Sequence, residues 1–237
     1  MESKPPLNPL LGKEGRGVVV LSLLTFVNKF KGVLFDFDGV LADTMEDHFS
    51  AWNHALGVYK VMIARDDFFP LEGMPVMAMA SEICCITGAD PAISQTILKN
   101  KDGHYLKNHQ FRLYPGVEEI IDKLHREKTP LGIVSGGRRE RITASVRADF
   151  LNKFKTLIAG EDTPRGKPFP DPYEEAARRI GCKAPECVVV ENAPLGIRAA
   201  KAAGAYCIAI ASTVSREKLQ EADTVIDSFT DLKNILS

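Results

Sequence analysis

The chain has 237 residues, enough for one large domain or a domain with an insertion, and enough to bury a substantial core. Hydrophobic residues make up 45% and charged residues 26%, the ordinary balance of a soluble globular protein. Basic side chains number 30 and acidic ones 31, so the net charge of -1 excludes the basic surplus that binding a phosphate backbone demands.

Residues 1–29 read as an N-terminal extension. The apolar run Val18–Val27 follows Lys13 and Arg16 as a secretory h-region would. It is shorter than the ~20 residues of a bilayer span, and no small-x-small cleavage pattern follows it. The first strand is expected over Lys31–Phe37. Residues 46–112 then carry helical patterns at Glu46–Leu56, Val76–Thr87 and Pro91–Asn108, with no strand run, and close near Tyr114-Pro115-Gly116. Beyond them strands alternate with helices. Strands are expected at Leu131–Val134, Thr156–Ala159, Cys187–Val190, Tyr206–Ala211 and Thr224–Ile226. Helices are expected at Val117–Glu127, Arg138–Phe150, Tyr173–Gly181 and Leu195–Gly204. This alternation predicts an α/β fold, a Rossmann-like three-layer parallel sheet core built from residues 30–45 and 113–237, with a helical insertion at 46–112. Ligands of such sheets sit beyond the carboxyl ends of the strands. The cysteines are odd in number, Cys84 and Cys85 are adjacent, and no C-x-x-C occurs, so free thiols in a reducing cytoplasm are expected.

The first strand runs into Phe35-Asp36-Phe37-Asp38-Gly39-Val40-Leu41-Ala42-Asp43-Thr44. Aspartates at i and i+2 of an extended chain point to one side. Carboxylates that close repel each other unless a cation or a shared proton intervenes, a cost that a purely structural site has no reason to accept. Gly39 permits a sharp turn immediately afterwards. Oxygen donors in this arrangement suit a hard cation such as Mg²⁺.

The string DFDGVLADT resembles the first motif of the haloacid dehalogenase superfamily. The resemblance implies that Asp36 is a nucleophile toward phosphorus and Asp38 a general acid/base. It extends over the rest of the chain. Ser135, with the backbone N–H groups of Gly136 and Gly137, stands where a phosphate oxygen is held. Lys167, in Lys167-Pro168-Phe169-Pro170-Asp171-Pro172-Tyr173, is similar to the family lysine that offsets charge on the nucleophile and the phosphoryl group. Glu191-Asn192-Ala193-Pro194-Leu195-Gly196-Ile197 resembles the acidic motif that completes a Mg²⁺ site, with one departure: Asn192 replaces an aspartate. The implied metal ligands are Asp36, Asp38 through its backbone carbonyl, Asn192 and Glu191, and the implied role of the insertion is that of a cap over the substrate.

Within the cap, Asp43–Trp52 resembles the corresponding stretch of β-phosphoglucomutases, with His48 and Trp52 one helical turn apart. Trp52 reads as cap core, and His48 as either core or a neighbour of Asp38. The string Leu71-Glu72-Gly73 resembles a family leucine-lysine-glycine, but Glu72 replaces the lysine and Val76 stands where an arginine would clamp a second phosphate. Lys101 keeps the place of a family cap lysine. Glu72, Lys101 and His48 are therefore candidate substrate-binding residues. The expected function is Mg²⁺-dependent hydrolysis of a small phosphate ester, a sugar phosphate or phosphoglycolate-like compound. The alternatives are a sugar-phosphate mutase and a non-catalytic phospholigand-binding module. Neither a nucleic acid nor a membrane is an expected partner, and a monomer is the expected state.

Overall fold

The computed structural model describes residues 30–236, so the expectations for residues 1–29 lie outside it. Its first strand is β1 (Gly32–Phe35). Then come α1 (Met45–Gly57), α2 (Arg65–Phe68), α3 (Val76–Thr87), α4 (Ser94–Asn108) and α5 (Val117–Arg126). The remaining strands are β2 (Leu131–Val134), β3 (Thr156–Ile158), β4 (Cys187–Glu191), β5 (Tyr206–Ile210) and β6 (Thr224–Ile226). The helices among and after them are α6 (Arg139–Ser145), α7 (Ala148–Leu151), α8 (Asp171–Ile180), α9 (Pro194–Ala202) and α10 (Phe229–Leu236).

The strands form one six-stranded sheet in the order β3-β2-β1-β4-β5-β6, and every neighbouring pair is parallel. Such strands are covered on both faces, so they read as unbroken apolar runs rather than alternating ones. Val33, Phe35, Ile133, Val188 and Val190 pack on one face against α5 and α10. Leu34, Val189 and Cys207 pack on the other against α8 and α9. The chain leaves β1 toward β2 on one side and returns to β4 on the other. The carboxyl ends of β1 and β4 therefore flank the crevice where such sheets take ligands.

The helical insertion lies between β1 and β2 and has its own core of Trp52, Leu56, Phe68, Ile83, Ile97 and Leu98. Trp52 is fully buried there, as expected of cap core. Two expectations need correction. The helix expected over Arg138–Phe150 is two helices, because Val146 is extended (φ -114, ψ 139) and turns its side chain into the core. The first strand ends at Phe35, not Phe37, so Asp36 and Asp38 lie in the turn beyond it. What brings them together is that turn, not the pleat: Leu41 and Ala42 N–H both donate to the Phe37 carbonyl, and Gly39 takes φ +84.

Candidate active site

Asp36, Asp38, His48, Glu72, Lys101, Ser135, Gly136, Gly137, Arg138 and Arg141 all line one cleft between sheet and cap, with about 580 Å³ of empty space including its mouth. Of the residues singled out from sequence, Lys167, Glu191 and Asn192 stand behind this wall, buried against it. Val76 and Trp52 also line the cleft.

Asp36 is fixed by its own N–H, which donates to the Val190 carbonyl at 2.9 Å and so ties it to the end of β4. Its carboxylate accepts from Lys167 Nζ at 2.5 Å, and the same ammonium donates to Glu191 Oε1 at 2.6 Å. Tyr173 Oη also donates to that Glu191 oxygen at 2.6 Å, and the N–H groups of Asn192 and Ala193 donate to the other. Lys167 thus bridges two buried carboxylates. Burial opposes its charge, but Asp36 and Glu191 outweigh that and hold the ammonium above its ordinary range. Burial pushes the Asp36 carboxyl up to about 8, against the pull of Lys167 and with the repulsion of Glu191 behind it.

The Glu191 carboxylate explains the glycine five residues on. A Cβ at Gly196 would lie 1.7 Å from Glu191 Oε1. We expect Gly196→Ala to cost about 2 kcal/mol or more in chemical denaturation, as overpacked cores do, because the acid it displaces is anchored on four sides. Unchanged stability would show that α9 can move away from β4.

Asp38 faces a different set. Arg141 holds it in a two-pronged pair, Nη1 to Oδ1 at 3.1 Å and Nη2 to Oδ2 at 2.5 Å. Thr44 Oγ1 donates to Oδ1 at 2.7 Å, which takes the hydroxyl of this N-terminal helix residue away from capping α1. Ser135 Oγ donates to Oδ2 at 3.4 Å and accepts from Gly137 N–H at 3.0 Å. Burial works against ionising Asp38, yet Arg141 and His48 override it and hold the carboxyl well below the usual range. His48 Nε2 lies 3.1 Å from Asp38 Oδ1, and the ring stacks on Tyr105 at 4.2 Å. Burial and the nearby Lys101 push the imidazole down to about 3, so it is neutral and Nε2 carries the proton it offers. Of the two readings of His48, the neighbour of Asp38 is the one realised. Lys101 lies over the rings of Trp52 and Tyr105 and 3.2 Å from Asp102, and burial pushes its ammonium down to about 8.

Glu72 lines the cleft and also reaches the core. Its Oε2 accepts from Asn192 Nδ2 at 2.7 Å and from Thr213 Oγ1 at 2.8 Å, which ties the cap to the core. A third cap–core bond runs from Val76 N–H to the Gly136 carbonyl at 3.2 Å. Sequence reasoning missed Arg141, Thr44, Tyr173 and Thr213. Thr44 and Tyr173 stand within the strings DFDGVLADT and Lys167–Tyr173, whereas Arg141 lies outside any such string and is buried with Ile142 on the face that α6 turns inward.

Among the described residues no group of three or more His, Cys, Asp or Glu is arranged to hold a metal ion. A set of one aspartate, an amide oxygen and a backbone carbonyl is a different one, and Asp36, Asn192 and Asp38 carry those groups. Asn192 Oδ1 and Glu72 Oε1 are both buried without a hydrogen-bond partner, and Glu72 lines the same cleft as Asp36. An all-oxygen set with unfilled lone pairs fits a hard divalent cation.

A parallel α/β sheet with a helical insertion after its first strand, and a lysine-braced aspartate at that strand's end, defines the class. A model of the haloacid dehalogenase-like hydrolase family matches residues 33–210. The chain is 27% identical over 207 residues to validoxylamine A 7'-phosphate phosphatase of Streptomyces hygroscopicus subsp. limoneus, covering 86% of this chain and 96% of that one. It is 29% identical over 210 residues to β-phosphoglucomutase of Bacillus subtilis, covering 85% and 91%. Its structure superposes on that of a CbbY variant from Rhodobacter sphaeroides in complex with xylulose-(1,5)bisphosphate with a TM-score of 0.76 at 26% identity, covering 86% and 96%. The chain belongs to the haloacid dehalogenase-like hydrolases, in the branch of β-phosphoglucomutases and phosphatases whose helical cap lies between β1 and β2, and it is an enzyme of the phosphatase class. No helix among the described residues is long and apolar enough to cross a membrane.

Proposed function

We propose that this enzyme hydrolyses a small phosphorylated metabolite, a sugar phosphate or a phosphoglycolate-like compound, through an aspartyl phosphate on Asp36. The observation that carries the reading is the pair of unlike aspartates in one cleft: Asp36 on an ammonium, Asp38 in a guanidinium fork with a neutral histidine beside it. Asp36 attacks phosphorus, which splits one difficult displacement into two easier ones. Asp38 is ionised while the Arg141 fork holds it; released from that fork it takes up a proton from solvent, delivers it to the leaving oxygen and then takes one back from the water that hydrolyses the intermediate. The Arg141 fork must loosen for that transfer, since a doubly paired carboxylate has no oxygen to spare. Lys167 offsets the charge that Asp36 and the phosphoryl oxygens bring into a buried site, the main task in phosphoryl transfer. Ser135 Oγ and the N–H groups of Gly136 and Gly137 line the same wall and can turn from each other to a phosphate oxygen. Mg²⁺ held by Asp36, the Asp38 carbonyl and Asn192, with Glu191 behind, would add charge neutralisation at the phosphoryl oxygens. The five free cysteines suit a reducing cytoplasm.

The contact of His48 with Asp38 supports a second reading, a sugar-phosphate mutase. Val76 offers no clamp for a second phosphate, but Arg138, Arg141 and Lys101 bring positive charge to the cleft from other directions. The fate of the phosphoryl group separates the readings. A panel of phosphorylated metabolites should yield inorganic phosphate from at least one member with Mg²⁺ present and none with EDTA. Transfer only between sugar positions, with a bisphosphate primer required, would establish the mutase. No turnover of any panel member or of an aryl phosphate at millimolar Mg²⁺ would overturn both.

A further inference from the structure

Position 192 carries an amide where the family resemblance calls for a carboxylate, yet negative charge is not missing from its neighbourhood. Glu72 comes down from the cap onto Asn192 and Thr213, in the turn before α3, and is only 3% exposed. Its Oε2 is the oxygen that takes both hydrogen bonds. Its Oε1 is buried with no partner, and so is Asn192 Oδ1. Leaving such groups unpaired is costly, and a native structure that retains them calls for an ion or water to fill the gap. The chemistry fixes which way the amide faces. Only its NH₂ can donate to a carboxylate and a hydroxyl, so Oδ1 must face away from them. Gly39 permits this approach, because a Cβ there would lie 2.1 Å from Asn192 Nδ2. Glu72 also sits within the fields of Asp36 and Glu191 and lines the cleft that Asp36 lines. Acids that line one cleft repel one another, and a divalent cation between them relieves that repulsion.

We infer that Glu72 supplies from the cap the negative charge that Asn192 lacks, so that a divalent-cation site at Asp36 is completed across the cap–core interface. Its Oε1 would meet the cation or one of the waters that Mg²⁺ keeps. Cation binding and cap closure are then reciprocal: whatever weakens one weakens the other. The inference rests on the metal-dependent reading above.

The test uses the whole protein and Mn²⁺ as the probe, with free ion followed by electron paramagnetic resonance. Glu72→Gln removes the charge and keeps an oxygen for Asn192 and Thr213. It should weaken Mn²⁺ binding at least tenfold, the low end of what losing an outer partner of a metal site costs. Adding Asn192→Asp to that variant should restore binding to within about threefold of wild type, since the carboxylate returns to the core side. Unchanged or tighter binding by Glu72→Gln overturns the inference, and if wild type still releases phosphate only with Mg²⁺ the phosphatase reading stands. No Mn²⁺ uptake by wild type at millimolar ion overturns the inference together with the metal part of that reading. A measurement on wild type alone covers a variant that fails to fold. Hydrogen exchange of residues 69–76 should slow about tenfold when Mg²⁺ is added, a typical coupling between two linked events. Exchange that ignores bound Mg²⁺ also overturns the inference.

Discussion

Asp36→Asn should abolish turnover while leaving the fold as stable as before or more so. A nucleophile that works as a unit with its acid/base is worth on the order of 10⁴–10⁶-fold in kcat, and an amide cannot take its place. Stability should move the other way. Wild type buries two carboxyl groups, Asp36 and Glu191, around the one ammonium of Lys167, and burial together with the Glu191 charge already opposes ionisation of Asp36. The asparagine leaves Lys167 and Glu191 as a balanced pair and keeps a carbonyl oxygen for the ammonium. Rapid-quench labelling with a phosphorylated substrate should trap an acid-stable, base-labile phosphoenzyme in wild type and none in the variant. Thermal melting checks the other half. A variant that retains turnover within tenfold of wild type would remove Asp36 from the chemistry, and one that melts far lower would make its role structural.

That site was legible in the sequence to different depths. The succession of strands and helices and the insertion follow from periodicity, a local signal. Asp36, Asp38, Ser135 and Lys167 follow from the resemblance of the strings around them to the family's motifs, with strand ends placing the first three. Arg141 could not be found that way. It lies on a seven-residue helix after a glycine pair, and its burial depends on how α6 packs beneath α4, a tertiary fact. Glu72, as a lone acid in a cap turn, suggests a polar substrate group, and only the folded chain shows that it also lies on Asn192. Asn192 itself reads as a weakened ligand until Glu72 is seen beside it. The pleat argument for the aspartate pair reached the right neighbours by the wrong route, since the strand stops before both of them.

Lys167→Met should fail in both activity and stability, and the two failures should separate in a double variant. Methionine fills much of the volume of the lysine stem but removes the only ammonium between Asp36 and Glu191, whose side chains are 7% and 0% exposed. Breaking a buried ion pair from one side costs about 3–5 kcal/mol, because the remaining carboxylates stay in low dielectric with nothing to offset them. Activity should drop by on the order of 10²–10³-fold, the cost of losing a preorganised charge aimed at the reacting centre. Adding Glu191→Gln removes one of the stranded charges and keeps an oxygen for Tyr173 Oη and for the N–H groups of Asn192 and Ala193. Lys167→Met/Glu191→Gln should therefore recover most of the lost stability in urea denaturation. Activity should not return, since no charge has come back to Asp36. Recovery of both would mean that Lys167 serves only to neutralise Glu191. Recovery of neither would mean that its contact with the Val134 carbonyl at 3.3 Å, a link to the end of β2, matters more than charge.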